Sequence, residues 1–146
     1  MRENNKKVKQ IYYGMPKLDT IVHHLLHARC FAKGDKVNGY WQVLLEENSR
    51  KFTAFDSPVG AYEHCYMPQG HCNSGPWFQK CSEGILTKML WVKILQYLDD
   101  SLLHAKTEGE LLEILDQYFA ILDKHNIKLR MYEHVCEYIR KWIGCM

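Results

Sequence analysis

Two adjacent carboxylates, Asp99 and Asp100, stand between two mainly apolar runs, Trp91 to Leu95 before them and Leu102-Leu103 after. An acidic pair held in apolar sequence leaves the chain few ways to fold. Gln96-Tyr97-Leu98-Asp99-Asp100-Ser101 reads as a strand, a tight turn carrying the acids, and a strand returning. Neighbouring side chains on an extended strand point to opposite faces, so two acids there diverge. On a turn both can approach one spot, where their repulsion demands a cation. Alone, the dipeptide also fits a solvated turn, because Asp bonds its own backbone locally.

The chain before the turn gives it a setting. Residues 1–14 are polar and basic and read as a loosely ordered arm. Leu18, Ile21, Val22, Leu25 and Leu26 recur at helical spacing, with Asp19 or Thr20 as caps, and the helix ends before Arg29. Phe31 to Asp35 forms a short strand with an acid at its end. Arg50 to Phe55 alternates as a strand, Pro58-Val59-Gly60 turns, and Ala61 to Met67 returns as its hairpin partner. After the break at Pro68-Gln69-Gly70, Ser74 caps a helix with Pro76 in its first turn and Phe78, Cys81, Ile85 and Met89 as its buried stripe.

Beyond the turn, Thr107-Glu108-Gly109-Glu110 matches a capping box. It opens a helix whose inner face carries Leu111, Leu112, Leu115, Tyr118, Phe119 and Leu122. Asn126 provides a left-handed stop. Ile127-Lys128-Leu129 begins a last pair of strands, with Val135 to Ile143 as the second. Helices mixed with antiparallel hairpins point to an α+β fold, one sheet covered on one face. If the strands ending in Asp35 and in the acidic turn are neighbours, three carboxylates converge at one edge.

The composition excludes several classes. In 146 residues, 47% are hydrophobic and 25% charged, as in a globular protein with one core. A net charge of +2 gives no global basic field, so nucleic-acid binding has to come from local placement. No apolar run approaches a membrane span, and no apolar core follows the basic amino terminus as in a secretory signal. The six cysteines are therefore expected as free thiols in an intracellular protein, cytoplasmic or nuclear. His64-Cys65, His71-Cys72 and the His23/His27 pair lack the Cys-x-x-Cys knuckles of a structural zinc site.

Several stretches now fall into one pattern. Met15-Pro16-Lys17-Leu18-Asp19, Phe31 to Val43 around Asp35, Lys51-Phe52-Thr53-Ala54-Phe55, Met67-Pro68-Gln69-Gly70 with Asn73-Ser74 and Phe78-Gln79, Tyr97-Leu98-Asp99-Asp100 and Trp142-Ile143-Gly144 follow in order. This series resembles the palm, with part of the fingers, of the reverse transcriptases of gypsy-type long-terminal-repeat retrotransposons and retroviruses. The resemblance implies a palm-like domain over residues 15–146 and RNA-directed DNA polymerisation by two-metal nucleotidyl transfer. It assigns Asp35, Asp99 and Asp100 as the catalytic, metal-binding acids. Two Mg²⁺ ions are implied, with Mn²⁺ as an alternative.

By the same resemblance Lys36 (through its main-chain carbonyl), Tyr40 and Gln69 meet the incoming nucleotide. Tyr40 acts as a gate against a ribose 2′-hydroxyl. Gly70, Tyr97, Trp142 and Gly144 meet primer and template. The implied partners are an RNA or DNA template with its primer, deoxynucleotide triphosphates, and the remaining polymerase and ribonuclease H portions of a polyprotein, with no membrane. The chain departs from the pattern where Gly34 and Lys36 flank the first acid in place of an apolar residue, and where Gly75-Pro76-Trp77 follows Ser74. Upstream fingers, thumb and ribonuclease H are expected outside it. A second reading is a catalytically inactive expressed remnant, at most a nucleic-acid or protein interaction module.

Overall fold

A computed structural model describes residues 2–130. In order the chain forms α1 (Arg2–Lys7), α2 (Leu18–Leu25), β1 (Cys30–Lys36), α3 (Glu47–Arg50), β2 (Phe55–Ser57), β3 (Gly60–Tyr62), α4 (Ser74–Leu86), β4 (Ile94–Tyr97), β5 (Asp100–Ala105), α5 (Glu108–Lys124) and β6 (Leu129–Arg130). Single 3₁₀ turns fill Gly39–Gln42 and Lys51–Thr53.

The strands of the main sheet lie in the order β4-β5-β1-β6, every neighbouring pair antiparallel. Alternation along β1 and β5 turns Ala32, Leu103 and Ala105 to one face, where they are buried with Ile94. Against that face pack Leu86 of α4 and Leu111, Ile114, Tyr118 and Leu122 of α5. Each such side chain contributes roughly 1.5–3 kcal/mol by leaving water. Gly34 makes the close approach of α5 possible, since a Cβ there would stand 2.8 Å from the Tyr118 hydroxyl oxygen. The fold is thus α+β, an antiparallel sheet with helices on one face, as the element order implies. No helix among the described residues is long and apolar enough to cross a membrane.

Local bonding overrides several sequence patterns. Arg50 to Thr53 is helical rather than extended, and the hairpin shrinks to Phe55–Ser57 against Gly60–Tyr62. The Thr53 hydroxyl donates to the Arg50 carbonyl at 2.7 Å and accepts from the His64 N–H at 3.0 Å, offering the backbone an alternative to a ladder. At α4, Ser74 does not cap, because its hydroxyl donates to the Pro68 carbonyl at 2.7 Å. The buried stripe of α4 is Ser74, Phe78, Gln79, Ser82 and Leu86, so Phe78 is inside as expected while Cys81 is exposed.

Lys17, not Asp19 or Thr20, holds the N-cap of α2. At α5, Thr107 accepts from the Glu110 N–H, but the Glu110 carboxylate reaches back to the Lys106 N–H instead of that of Thr107. Ile114 takes the inner place on α5, and Leu112 and Phe119 stand exposed. Asn126 does adopt a left-handed conformation, φ 53°, before β6. The segment 135–143, with Trp142 and Gly144, lies outside the described residues.

Within the amino-terminal arm, Asn5 bonds the Gly70 carbonyl and the Cys72 N–H, and Lys9 and Ile11 bond the Asn73 side chain. The Tyr13 hydroxyl donates to Glu83 at 2.6 Å.

Candidate catalytic edge of the sheet

Register places the acids. Asp35, near the end of β1, is the cross-strand partner of Asp100 at the start of β5, and Asp100 is also opposite Tyr97 of β4. Cross-strand partners share a face, so both carboxylates rise on the side away from the helices. Only Leu98 and Asp99 remain for the turn. Asp100 therefore belongs to the ladder, and of the two neighbouring acids only Asp99 stands on the turn. Asp100 meets the Lys33 ammonium at 2.9 Å on the open face, and Asp99 leans over Gly39. A Cβ at Gly39 would collide with the Asp99 carboxylate and come within 2.7 Å of the Phe78 ring, so only glycine fits there. The Lys36 N–H donates to the Asp99 carbonyl at 3.1 Å, joining the end of β1 to the turn.

Asp99 is perturbed by its surroundings. Burial pushes its carboxyl above the usual range; Asp35 and Asp100 push the same way, and Lys36 opposes them. Its Oδ1 is buried with no hydrogen-bond partner among the described residues. Such an atom is costly unless something arrives to pair with it. In this conformation no three acidic, imidazole or thiol groups among the described residues converge closely enough to hold an ion. The donor chemistry nonetheless suits one: carboxylate oxygens are ligands for a hard divalent cation, and one of them is unpaired.

Beneath the acids lies a second, buried set. Lys36 is 3% exposed, and its Nζ donates to Gln96 Oε1 at 3.0 Å and Ser101 Oγ at 3.1 Å. Ser101 donates in turn to Gln96 Oε1 at 2.6 Å and accepts from the Tyr118 hydroxyl at 2.8 Å. Burial lowers the Lys36 pKa to about 8, against the pull of Asp99, Asp100 and Asp35 to keep it charged. Burial likewise pushes Tyr118 up to about 12, with its bond to Ser101 working the other way.

The remaining predicted residues that the structure describes are Tyr40, Gln69, Gly70 and Tyr97. The Tyr40 ring stacks on Phe78 with centroids 4.9 Å apart, and burial, Asp99 and Tyr97 all raise its hydroxyl pKa. Tyr97 is 47% exposed. Gln69 is exposed, and Gly70 has φ 84°, a conformation that favours glycine. The Lys36 side chain points into the network, which leaves its main chain for the edge. Sequence reasoning missed the side-chain roles of Gln79, Gln96 and Lys36. The available signals were a glutamine inside the apolar run 91–103 and a lysine at the core parity of Ala32 and Gly34.

Residues 1–133 match the family of reverse transcriptases (RNA-dependent DNA polymerases). The chain is 33% identical over 129 residues to a retrovirus-related Pol polyprotein from transposon 297 of Drosophila melanogaster, covering 88% of the chain and 12% of that relative. It is 28% identical over 143 residues to the Pol polyprotein from transposon gypsy of the same fly, covering 94% and 14%. The fold superposes with a TM-score of 0.81 on a foamy viral protease-reverse transcriptase in complex with an RNA/DNA hybrid, at 25% identity, covering 92% of the chain and 18% of that one. The chain thus spans about a seventh or less of the length of these two curated relatives. The matched residues carry the acidic turn and the strand opposite it, and the chain belongs to the reverse transcriptase family found in retrotransposon and retroviral polyproteins.

Proposed function

We propose that this chain is the catalytic palm of an RNA-directed DNA polymerase, joining deoxynucleotides to a primer along an RNA or DNA template. The observation that carries this reading is the edge where Asp35 and Asp100 pair across strands beside Asp99, whose buried oxygen lacks a partner. Asp35, Asp99 and Asp100 would hold two divalent ions, Mg²⁺ by the hardness of their oxygens, with the Lys36 main-chain carbonyl beside them. Bound there, the ions supply Lewis-acid stabilisation to the attacking primer oxygen and the leaving phosphate oxygen. The protein's own part is positioning and electrostatics, which dominate phosphoryl-type transfer.

Tyr40, backed by Phe78, would lie beneath the sugar and leave no room for a 2′-hydroxyl. Gln69 and Gly70 would line the nucleotide from the loop before α4, and Tyr97, Trp142 and Gly144 would meet primer and template. A noncatalytic remnant is the second reading. One observation favours it: the Lys33 ammonium sits at 2.9 Å from Asp100, where an ion would have to bind.

Primer extension on a primed RNA template decides between them, using the chain joined to its flanking polymerase segments. Extension is expected with Mg²⁺, and Asp99→Asn should slow it on the order of 100-fold or more. Unchanged extension by Asp99→Asn would remove the metal assignment. No extension by the parent would favour the remnant.

A further inference from the structure

Leu98 is the first of the two turn residues, and its φ is +49°. Leucine rarely adopts that conformation, and such a residue persists where its surroundings over-determine it. Two-residue hairpin turns usually put glycine, asparagine or aspartate at positive φ. Here the surroundings are two buried glutamines. Gln79, fully buried on α4, accepts from the Leu98 N–H at 2.7 Å and donates to the Gln96 carbonyl at 2.8 Å. The Gln96 side chain, 2% exposed, donates to the Leu98 carbonyl. Both polar groups of the Leu98 backbone are therefore held by side chains, one from 19 residues away.

The amide orientations leave no alternative. A backbone N–H only donates, so Gln79 must present Oε1 to Leu98 and its nitrogen to the Gln96 carbonyl. An ammonium only donates, so Lys36 must meet Gln96 Oε1, which turns the Gln96 nitrogen toward the Leu98 carbonyl. Gln79 also donates to Glu83 at 2.6 Å, and Glu83 takes the Tyr13 hydroxyl on its other oxygen. The clamp is thereby anchored to α4 and to the amino-terminal arm.

We infer that Gln79 and Gln96 are positioning residues that hold Leu98 in its left-handed conformation and so aim the Asp99 carboxylate over Gly39. The inference rests on the polymerase reading for its purpose, while the clamp itself can be tested without it. Glycine adopts positive φ freely and suits the first position of such a turn. A clamp that exists to hold leucine there should become dispensable when the leucine is replaced by glycine.

The test uses the 146-residue chain, with amide exchange at residue 98 and binding of Mn²⁺ followed by electron paramagnetic resonance. Gln79→Met should remove exchange protection at Leu98 and weaken Mn²⁺ binding about tenfold, the scale of losing an outer-shell partner of a metal ligand. Adding Leu98→Gly should bring Mn²⁺ binding back to within about twofold of the parent, a rescue that general loss of stability would not produce. Where Gln79→Met fails to fold, Gln79→Asn, one methylene too short to reach the turn, makes the same comparison. Unchanged protection, or a loss of Mn²⁺ binding that glycine leaves in place, overturns the inference. If the parent binds no Mn²⁺, the metal reading falls instead, and exchange at Leu98 alone decides the clamp.

Discussion

The two faces of the β1–β5 pair carry similar groups to opposite ends. On the open face Lys33, Asp35 and Asp100 stand in or near solvent, and the Lys33–Asp100 pair is about half exposed at both ends. One residue along, on the helix side, Lys36 and Ser101 are at most 3% exposed and share their hydrogen bonds with Gln96 and Tyr118. Water screens the first set, so its partners can be exchanged at little cost. The second set has no water to fall back on, so each donor needs its named acceptor. Under the proposed function the edge would trade a lysine for other cations, which asks for softness on one face. The frame that aims it has to be stiff on the other.

The sharpest way to break that contrast is to remove one buried acceptor. Gln96→Leu would leave the Lys36 ammonium with Ser101 alone and free the Leu98 carbonyl. We expect a loss of about 2–4 kcal/mol in urea unfolding at pH 7, the range for orphaning a buried charge-assisted bond. Adding Lys36→Met to Gln96→Leu should recover part of it, because no ammonium is then left short of an acceptor, while the Ser101 hydroxyl and the Leu98 carbonyl still lack their Gln96 partner. A double variant no more stable than the single one would mean that the buried face is not a network.

That buried face is also where the sequence was hardest to read. The β4–β5 hairpin and the α5 helix were legible because turn chemistry and hydrophobic period speak locally, whereas the roles of the three acids rest on the family resemblance. The place of Asp100 on the ladder rather than in the turn was not legible, since it depends on a loop of only two residues, which the register against β1 and β4 decides. The α4 stripe was misplaced because Gln79 and Ser82 are polar, and polarity argues for solvent until a partner is known. Their partners come from other elements: Gln79 bonds residues of the β4–β5 hairpin. Ser74 failed as a cap for the same reason, its hydroxyl being committed to Pro68.

A smaller effect follows from the Lys36 ammonium itself. Its folded pKa, about 8, lies below the ordinary lysine value of 10.5. Between those values the unfolded chain holds a proton that the folded chain has released, so stability rises with pH. The same contribution is lost as pH falls through about 8. At roughly 1.4 kcal/mol per pH unit for a one-proton difference, the parent should gain on the order of 1–2 kcal/mol over Lys36→Met between about pH 8 and 9.5. Urea unfolding of both proteins across that range measures it. Parallel curves would mean that Lys36 is solvated like its neighbour Lys33.

The open face should give the smallest response. Lys33→Met removes a half-exposed ion pair, for which about 0–1 kcal/mol is expected at low ionic strength. The difference should vanish in about 1 M salt, where the Debye length falls to roughly 3 Å. A loss above about 2 kcal/mol, or one that salt leaves untouched, would mean that the two faces are alike after all. The same substitution should have the opposite sign for cations. With the ammonium gone from its place 2.9 Å from Asp100, that carboxylate loses its counter-charge. A carboxylate released from an ammonium attracts a divalent ion more strongly than one already partly neutralised. Mn²⁺ should therefore bind Lys33→Met more tightly than the parent. Stability and ion affinity moving in opposite directions on one substitution is what a face built for exchange predicts, and no substitution in the buried network should reproduce it without a loss of stability well above 1 kcal/mol.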